Sequence, residues 1–383
     1  MPDPRALLET LVAFDTTSAK TNIPLIEFVR GYLADHGVES QLVPTGDGLK
    51  ASLFATIGDA GRPGIGLSGH TDVVPVEGQQ WATDPFKVTE RDGRLYGRGT
   101  CDMKGFLACV LAMVPDFKAR GLTTPIHIVF SYDEEVGCTG VRPMIAELGS
   151  RLTRPRLVIV GEPTNMGIVD SHKGATRFRT VVTGREAHSS MTHIGVNAIH
   201  YAGLLINELA LIEDELRNGR QDQRFEPPYS TVQIGLIEGG RAQNIVPRHC
   251  ILSWEIRALP GFDISAATGR FERFVREKCL PSMQAIGADT SIETTLMNGV
   301  PAFNSASGSE AVSLALKLMG QNETHAVSYG TEAGLFQMGG CDSVICGPGN
   351  IAQAHRPDEF IAISELDRCM AFLGKLADWA ERN

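Results

Sequence analysis

The sequence predicts an α/β protein with a mostly parallel sheet, helices on both faces of that sheet, and a second, inserted α+β domain. Two observations predict this fold. Strand and helix patterns alternate through about the first 170 residues, which is typical of a parallel sheet covered on both faces. The order then changes to strand, helix, strand, strand, helix, strand, which is the order of a ferredoxin-like unit. A chain of 383 residues is long enough for both domains.

The elements of the first domain follow from the spacing of apolar residues. Residues 25–37 are amphipathic with a helical period and end at a glycine, whereas residues 103–117 are a strongly apolar helix. Apolar runs that end in polar residues predict strands within 64–75, 126–135 and 156–164. These strands would form the core of the parallel sheet.

The inserted domain has its own series of elements. Its predicted strands and helices, in order, are 176–184 (strand), 193–217 (helix), 230–240 and 251–260 (strands), 266–279 (helix) and 290–297 (strand). The sequence therefore predicts a catalytic domain made of residues 1–174 and 298–383, with an inserted domain at 175–297.

Composition excludes several classes of function. The net charge is -10 with a sequence pI near 5.5, and the sequence has no stretch dense in Lys and Arg, so a nucleic-acid partner is not expected. No apolar run approaches the ~20 residues of a membrane span, and no secretory signal is evident, so we expect a cytoplasmic protein with no membrane partner. The eight cysteines lack paired short spacings, so neither a thiolate zinc site nor a disulfide framework is indicated.

Titratable residues follow the predicted strands at the point where each strand ends. They are His70, Asp72, Glu134, Glu135 and Glu162. Ligands of parallel sheets lie beyond the carboxyl ends of the strands, so we expect these side chains on one rim. The carboxylate of Asp72 would accept a hydrogen bond from one ring nitrogen of His70 while the other binds a metal ion. Alternatively, His70 is an ordinary hydrogen-bonded histidine near a strand end.

Two further residues complete a set of metal ligands. Asp102 lies in the Gly-rich stretch YGRGTCDMKG before the apolar helix, where it either bridges two cations or caps that helix. His355 lies in a loop within QAHRPDEF. Nitrogen and oxygen donors without thiolate suit two zinc-like ions that share a carboxylate, with Co²⁺ or Mn²⁺ as substitutes. Such a pair activates water for hydrolysis, and the glutamate that is not a ligand carries the proton.

Five motifs in this order resemble the M20 metallopeptidase/amidase family and, within it, the acetylornithine deacetylase branch. They are GHTDVVP, YGRGTCDMKG, SYDEEVGCTG, GEPT and AHRPDEF. The resemblance covers essentially the whole chain and implies a zinc-peptidase-like catalytic domain with an inserted lid and dimerisation domain. It further implies a cis peptide after Asp102. The ligand sets that it implies are His70, Asp102 and Glu162 for one Zn²⁺ and Asp102, Glu135 and His355 for the other, with Glu134 as general base and acid and Asp72 orienting His70.

The resemblance also assigns roles to residues of the inserted domain. His188 would stabilise the oxyanion, commonly across a homodimer, and Asn244 would lie in the same region. Arg257 would hold a substrate carboxylate. The alternatives are a surface histidine, a turn asparagine and an arginine in a structural ion pair.

The substrate implied by the branch is N2-acetyl-L-ornithine, hydrolysed to L-ornithine and acetate in arginine synthesis. Glu332, in SYGTEAGLF, would pair with the δ-ammonium group of that substrate, or it would simply cap the helix that follows. Deacylation of another N-acyl amino acid and desuccinylation of succinyl-diaminopimelate are the related alternatives. A non-catalytic metal- or ligand-binding protein on the same scaffold is the alternative from another class.

Overall fold

The helices of this computed structural model, which describes residues 2–383, follow the apolar periodicity of the sequence. In chain order they are α1 (Pro4–Val12), α2 (Ile23–Asp35), α3 (Gly105–Ala119), α4 (Val141–Glu147), α5 (Ala198–Asn218), α6 (Ile264–Phe274), α7 (Leu280–Gln284), α8 (Glu310–Met319), α9 (Ala333–Met338) and α10 (Ile363–Arg382).

The strands alternate with these helices. They are β1 (Ser40–Pro44), β2 (Ala51–Ile57), β3 (Ile65–His70), β4 (Thr89–Arg91), β5 (Arg94–Tyr96), β6 (Ile126–Ser131), β7 (Leu157–Val160), β8 (Val169–His172), β9 (Gly174–Thr183), β10 (Thr231–Gly239), β11 (His249–Ala258), β12 (Ser291–Val300), β13 (Phe303–Asn304), β14 (His325–Val327), β15 (Asp342–Ile345) and β16 (Phe360–Ala362).

The described residues form two compact units. Unit 1 comprises residues up to Asp170 together with Asn304–His325 and Thr331–Asn383. Unit 2 comprises Ser171–Phe303 and Ala326–Gly330. Residues 171–174, 298–303 and 326–330 belong to unit 2, although the sequence predicts them in the catalytic domain.

The middle of the central sheet of unit 1, β6-β3-β7-β15, is parallel, as the sequence predicts. The order of the whole sheet is β1-β2-β6-β3-β7-β15-β8-β13, with β14 paired to β8. The pairs β6/β3, β3/β7 and β7/β15 are parallel, whereas β1/β2, β2/β6 and β15/β8 are antiparallel. Every residue of β3, β6 and β7 is buried. Because neighbouring side chains of a strand point to opposite faces, both faces of the sheet are covered.

Helix α3 lies in the core of unit 1. Most of its residues are buried, and it packs against α1 and α10 and on the strands β2, β3 and β6. This explains why its sequence is apolar on all sides rather than along one stripe. Among residues 2–383, no helix has both the length and the apolar character that crossing a membrane requires.

Unit 2 has the predicted βαββαβ order. Its antiparallel sheet runs β10-β11-β9-β12, so the first and third strands of the unit are central, as in a ferredoxin-like fold. Helices α5 and α6 pack with the sheet around an apolar cluster that contains Phe178, Trp254 and Phe271. The rings of Phe178 and Trp254 stack with centroids 4.3 Å apart.

Two predicted helices of unit 2 differ from the observed ones. The helix predicted from residue 193 begins at Ala198, because the Asn197 side chain accepts a hydrogen bond from the N–H of His200 and caps it there. Residues 192–194 form a separate short turn. The helix predicted over 266–279 is α6 followed by a wider turn, Val275–Cys279, that leads into α7.

Candidate metal centre

Three parallel strands bring His70, Glu134 and Glu162 to one rim of the sheet in unit 1. Strands β3 and β6 end in register, with His70 opposite Ser131, and β7 runs parallel to β3. Glu134 and Glu162 follow β6 and β7 in the chain. At Gly161, a Cβ atom would lie 2.1 Å from the ring of Phe106, so only glycine allows α3 to pack against the end of β7.

His70 belongs to the first of two groups of ligand atoms. Its Nδ1 lies 2.9 Å from the backbone carbonyl of Asp72. A carbonyl can only accept, so Nδ1 carries a proton and Nε2 is the ring nitrogen that faces the carboxylates. Nε2 lies 3.0 Å from Oδ1 of Asp102 and 3.8 Å from Oε1 of Glu162. These three residues, the first triad, are buried and offer ligand atoms within 4.8 Å of one another.

The second triad shares Asp102 with the first. Oδ2 of Asp102 lies 3.4 Å from Nε2 of His355, and the same nitrogen lies 3.0 Å from Oε2 of Glu135. The ligand atoms of these three residues also fall within 4.8 Å of one another. The two carboxylate oxygens of Asp102 therefore face different histidines. A carboxylate placed in this way would be able to bridge two cations.

Asp102 does not act as a helix cap. It lies in the irregular turn Thr100–Lys104 before α3, where its backbone angles are φ -120° and ψ 91°. The N-cap position of α3 is occupied by Lys104, which makes no side-chain capping bond. The Asp102–Met103 peptide is cis, as the family resemblance implies.

The carboxylate of Asp72 has different partners from the predicted one. Its Oδ1 lies 3.6 Å from Nδ1 of His70, which hydrogen-bonds the Asp72 carbonyl instead. The carboxylate accepts from the N–H groups of Glu134 at 3.1 Å and Glu135 at 3.3 Å, and from the hydroxyl of Ser18 at 2.7 Å. Asp72 thus holds the His70 ring by its backbone and the two glutamates by its side chain.

The charges of the two triads act strongly on one another. Burial alone would raise the pKa of Asp102, but hydrogen bonds from His355 and His70 hold it well below its usual range. Burial and the negative charge of Asp102 raise the pKa values of Glu135 and Glu162. Hydrogen bonds to Asp102 and Glu135 raise the pKa of His355 to about 10. The ligand groups without a cation therefore retain protons that a divalent cation would displace.

The residues present fit a pair of divalent cations. Each triad supplies one imidazole nitrogen and carboxylate oxygens, and the shared Asp102 offers one oxygen to each side. Buried carboxylates at this density are costly unless cations or protons compensate their charge. Donors of nitrogen and oxygen type, without thiolate, suit zinc, cobalt or manganese.

Among the described residues, Glu134 belongs to neither triad, although it precedes the ligand Glu135 in the chain. Its carboxyl accepts a hydrogen bond from the thiol of Cys138 at 3.2 Å. Burial, together with the negative charges of Glu135 and Glu332, raises its pKa to about 8. The neighbouring Asp133 pairs with Nζ of Lys50 at 2.5 Å. The three consecutive carboxylates therefore have three different environments.

Glu332 is buried within unit 1. Its side chain occupies the position before α9 but makes no capping hydrogen bond. One carboxylate oxygen accepts from the hydroxyl of Ser68 at 3.1 Å, and the other accepts from Ser131. Burial raises its pKa to about 7. The Glu332 side chain therefore does not cap α9. Its carboxylate instead links β3 and β6 through hydrogen bonds from Ser68 and Ser131.

Ser18 and Lys50 contact the centre but could not be predicted from the sequence. Ser18 lies 54 residues before its partner Asp72, and Lys50 lies 83 residues before Asp133. A lone serine in DTTSAK and a lone lysine before β2 match no motif that carries chemistry, so the sequence holds no signal for either contact.

The predicted site residues of unit 2 have ordinary local partners. Nε of Arg257 lies 2.8 Å from Oε1 of Glu255. Nδ1 of the exposed His188 lies 2.8 Å from the hydroxyl of Ser190. The carbonyl of Asn244 accepts from the N–H of Ser189 at 3.1 Å, and its side chain is exposed.

Comparison with known proteins identifies close relatives over nearly the whole chain. Residues 66–379 match the sequence profile described as peptidase family M20/M25/M40. An acetylornithine deacetylase of Pasteurella multocida is 35% identical over 368 residues, which are 96% of this chain and 94% of the relative. An acetylornithine deacetylase of Myxococcus xanthus is 36% identical over 380 residues, which are 98% of this chain and 97% of the relative.

Solved structures share the fold at low sequence identity. An M20 family metallo-carboxypeptidase of Sulfolobus solfataricus superposes with a TM-score of 0.79 at 19% identity, over 100% of both chains. A Bacillus subtilis protein described as a dinuclear metal-binding peptidase of the M20 family superposes with a TM-score of 0.66 at 16% identity, over 98% of this chain and 96% of the other.

Proposed function

Because residues 66–379 show that the chain belongs to peptidase family M20/M25/M40, we propose that it hydrolyses the amide bond of N2-acetyl-L-ornithine. The products are L-ornithine and acetate, a step of arginine synthesis. The observation that carries the proposal is the shared position of Asp102, whose two oxygens face His70 and His355. Relatives that are 34–36% identical over nearly their whole length and are named acetylornithine deacetylase support the substrate.

The first triad would hold one Zn²⁺ and the second triad the other, with Co²⁺ or Mn²⁺ as substitutes. When bound, two such cations lower the pKa of water and polarise the substrate carbonyl. The chain contributes the fixed spacing of the ligands. The Nδ1–H of His70 donates to a backbone carbonyl, so its Nε2 faces the first triad in the correct tautomer.

Glu134 is the proposed proton carrier. It lies next to the ligand Glu135, and its N–H is held by Asp72, so its position is set from the backbone. Burial raises the pKa of Glu134 above that of an exposed carboxyl and so brings it nearer to neutral pH, where a group accepts and returns a proton most readily. In the proposed reaction Glu134 takes a proton from the attacking water and delivers it to the leaving amide nitrogen.

Glu332 is the proposed partner of the δ-ammonium group of the substrate. Its carboxylate accepts from the hydroxyls of Ser68 and Ser131, and an ionised carboxylate has about four lone-pair sites. Two sites therefore remain for a further donor. An ammonium group would also favour the ionised form of Glu332, whose pKa burial raises to about 7.

Unit 2 is proposed to be a lid and dimerisation domain that contributes His188, Asn244 and Arg257 to the reaction. Its edge strand β10 exposes apolar side chains, with Leu236 70% and Ile237 56% accessible. An unpaired edge with exposed apolar residues favours pairing with another copy. Light scattering at several concentrations tests the homodimer, and a monomer at all of them would contradict it.

The proposed compartment is the cytoplasm. All eight cysteines lie within residues 2–383 and are buried free thiols, which suits a reducing compartment.

The test of the activity is hydrolysis of a substrate panel by purified protein that has been stripped of metal and reloaded with zinc or cobalt. The panel contains N-acetylornithine, N-acetylmethionine, N-succinyl-diaminopimelate and a dipeptide. The expected result is metal-restored activity that is highest on N-acetylornithine. Higher activity on another compound would overturn the substrate but keep the chemistry. No metal-dependent hydrolysis of the panel would overturn the proposed function.

A further inference from the structure

A buried ion pair joins two distant parts of unit 1. Nη1 of Arg98 lies 2.6 Å from Oε2 of Glu359, and both side chains are only 1% accessible. The two residues are 261 positions apart in the chain. A buried pair of charges is costly to desolvate and adds little to stability by itself. The position of this pair therefore requires another explanation.

The second oxygen of Glu359 holds the backbone of Asp102. Oε1 accepts from the N–H of Cys101 at 2.9 Å and from the N–H of Asp102 at 3.1 Å. Both amides lie in the irregular turn Thr100–Lys104, where Asp102 and Met103 have non-helical backbone angles. Glu359 thus gives these amides a fixed acceptor and sets the position of the residue that both triads share.

The other end of the network reaches His355. Nη2 of Arg98 donates to Oε1 of Gln79 at 2.6 Å, and Nε2 of Gln79 donates to the backbone carbonyl of His355 at 2.9 Å. The φ angle of His355 is 63°, in the left-handed region that residues other than glycine rarely adopt. A backbone of this kind has to be held by its surroundings, and the amide of Gln79 contacts it directly.

We propose that Gln79, Arg98 and Glu359 form a clamp that positions the backbones of Asp102 and His355 relative to each other. The clamp is a positioning element for the second triad, in which these two residues are ligands, and through Asp102 for the first. The inference rests on the proposed function in one respect, because the triads must hold cations. It adds residues that touch no ligand atom of either triad and act only on the backbone.

The clamp predicts different effects at its two ends. Glu359→Gln leaves one accepting oxygen for three donors, so either the amides of the Asp102 turn or Arg98 lose their partner. In both cases the clamp is broken at the shared ligand Asp102, and both cations should bind more weakly. Gln79→Met removes the contact with His355 and the acceptor of Arg98 and Trp81, but it leaves the contacts of Glu359 with the backbone of the Asp102 turn. The cation of the second triad should therefore bind more weakly and that of the first should not. Gln79 is partly exposed, so its variant tests the clamp even when Glu359→Gln fails to fold.

The experiment is titration of Co²⁺ into metal-free protein, followed by the visible absorption of the bound ion. We expect Glu359→Gln to weaken the binding of both ions by about 10- to 100-fold, the usual effect of losing a partner of a metal ligand. We expect Gln79→Met to weaken one ion by a similar factor. Hydrogen exchange of the amides of Cys101 and Asp102, measured without metal, should be faster in Glu359→Gln than in the natural protein.

The matched control is Glu208→Gln in unit 2. The buried Glu208 pairs with the partly exposed Arg270 at 2.7 Å, so this variant also breaks an ion pair of a buried carboxylate. It should lower the melting temperature and leave Co²⁺ binding unchanged. Unchanged Co²⁺ affinity in folded Glu359→Gln and Gln79→Met would overturn the clamp alone. Failure of the natural protein to bind Co²⁺ would overturn the proposed function and the clamp together.

Discussion

The N–H of Glu134 donates to Oδ1 of Asp72 at 3.1 Å, which links the loop after β6 to the loop after β3. The other oxygen of Asp72 accepts from the N–H of Glu135 at 3.3 Å. One carboxylate therefore holds the proposed proton carrier and a proposed metal ligand at the same time.

This arrangement predicts a large effect of Asp72→Asn. An asparagine side chain has one accepting oxygen, so at least one of the two amides loses its partner. We expect kcat to fall by about 10- to 100-fold, with weaker binding of the cation of the second triad. Steady-state kinetics and metal analysis of the purified variant measure both.

Ser18→Ala is the matched control, since it removes only the hydroxyl that donates to Asp72 at 2.7 Å. It should keep most of the activity. Equal losses of activity in the two variants would show that the hydrogen bonds from the amides of Glu134 and Glu135 to the Asp72 carboxylate are not needed for turnover.

Glu134→Gln is expected to bind metal and substrate normally and to lose turnover by about 10²- to 10⁴-fold. The amide has nearly the shape of the carboxyl but cannot carry the proton. The measurement is kcat together with the metal content of the variant.

The adjacent residue offers the control for this substitution. Asp133 pairs with Lys50 and has a φ of 53°, which asparagine tolerates, so Asp133→Asn should fold and remain active. Near-normal turnover in Glu134→Gln would refute its role as proton carrier.

Much of the centre could be predicted because several of its residues lie at or shortly after the ends of parallel strands. Parallel strands place His70, Glu134 and Glu162 on one rim, because each lies at a strand end or within three residues of one, whatever the details of the connections. The acceptor for the Nδ1–H of His70 could not be predicted in the same way. Either the carbonyl or the carboxylate of Asp72 could accept this hydrogen bond. The backbone geometry places the carbonyl oxygen 2.9 Å and the carboxylate Oδ1 3.6 Å from Nδ1 of His70, so the carbonyl accepts it.

The fold could be predicted to a similar depth. The βαββαβ order of unit 2 follows from apolar periodicity, but the start of α5 depends on the capping bond of Asn197. The assignment of 326–330 to unit 2 depends on tertiary contacts, which the periodicity of so short a segment does not encode.

The metal-free protein is expected to lose stability as pH rises from about 5 to about 9. Burial raises the pKa values of Glu332 and Glu359 to about 7 and that of Glu134 to about 8, and hydrogen bonds raise that of His355 to about 10. A raised pKa stabilises the folded state fully below the ordinary pKa of the group, and this contribution disappears as pH rises through the raised value. The aspartates of the centre, whose pKa values are lowered, affect stability only at lower pH. The lowered pKa values of two other buried groups, about 7 for Lys104 and about 4 for His127, act in the opposite direction but are outnumbered.

Calorimetry of the metal-free protein across this pH range measures the effect as a falling melting temperature. Added Zn²⁺ should reduce the fall, because cations then compensate the carboxylates in place of protons. A melting temperature that rises from pH 5 to pH 9 without metal would contradict the prediction.

Arg257→Met is expected to raise KM for N-acetylornithine by about 10- to 100-fold, with a smaller change in kcat. A charge-assisted hydrogen bond to a substrate carboxylate contributes about 1.5–3 kcal/mol to binding. Steady-state kinetics over a wide range of substrate concentrations separates the two parameters.

Arg177→Met is the control, because Arg177 shares the partner Glu255 at 3.4 Å but has no proposed substrate contact. It should leave KM unchanged. The same rise in KM for both variants would mean that Arg257 is only part of a structural ion pair.

The position of β15 between β7 and β8 has a consequence for how the chain is made. The ribosome releases β7 and β8 well before β15, which spans Asp342–Ile345, so the sheet of unit 1 stays open until nearly the whole chain has emerged. Strands β9 to β12 of unit 2 all precede β15. During synthesis the strands of unit 2 can therefore pair with one another before β15 has been made. In unit 1, β7 and β8 cannot be joined through β15 until that strand has emerged.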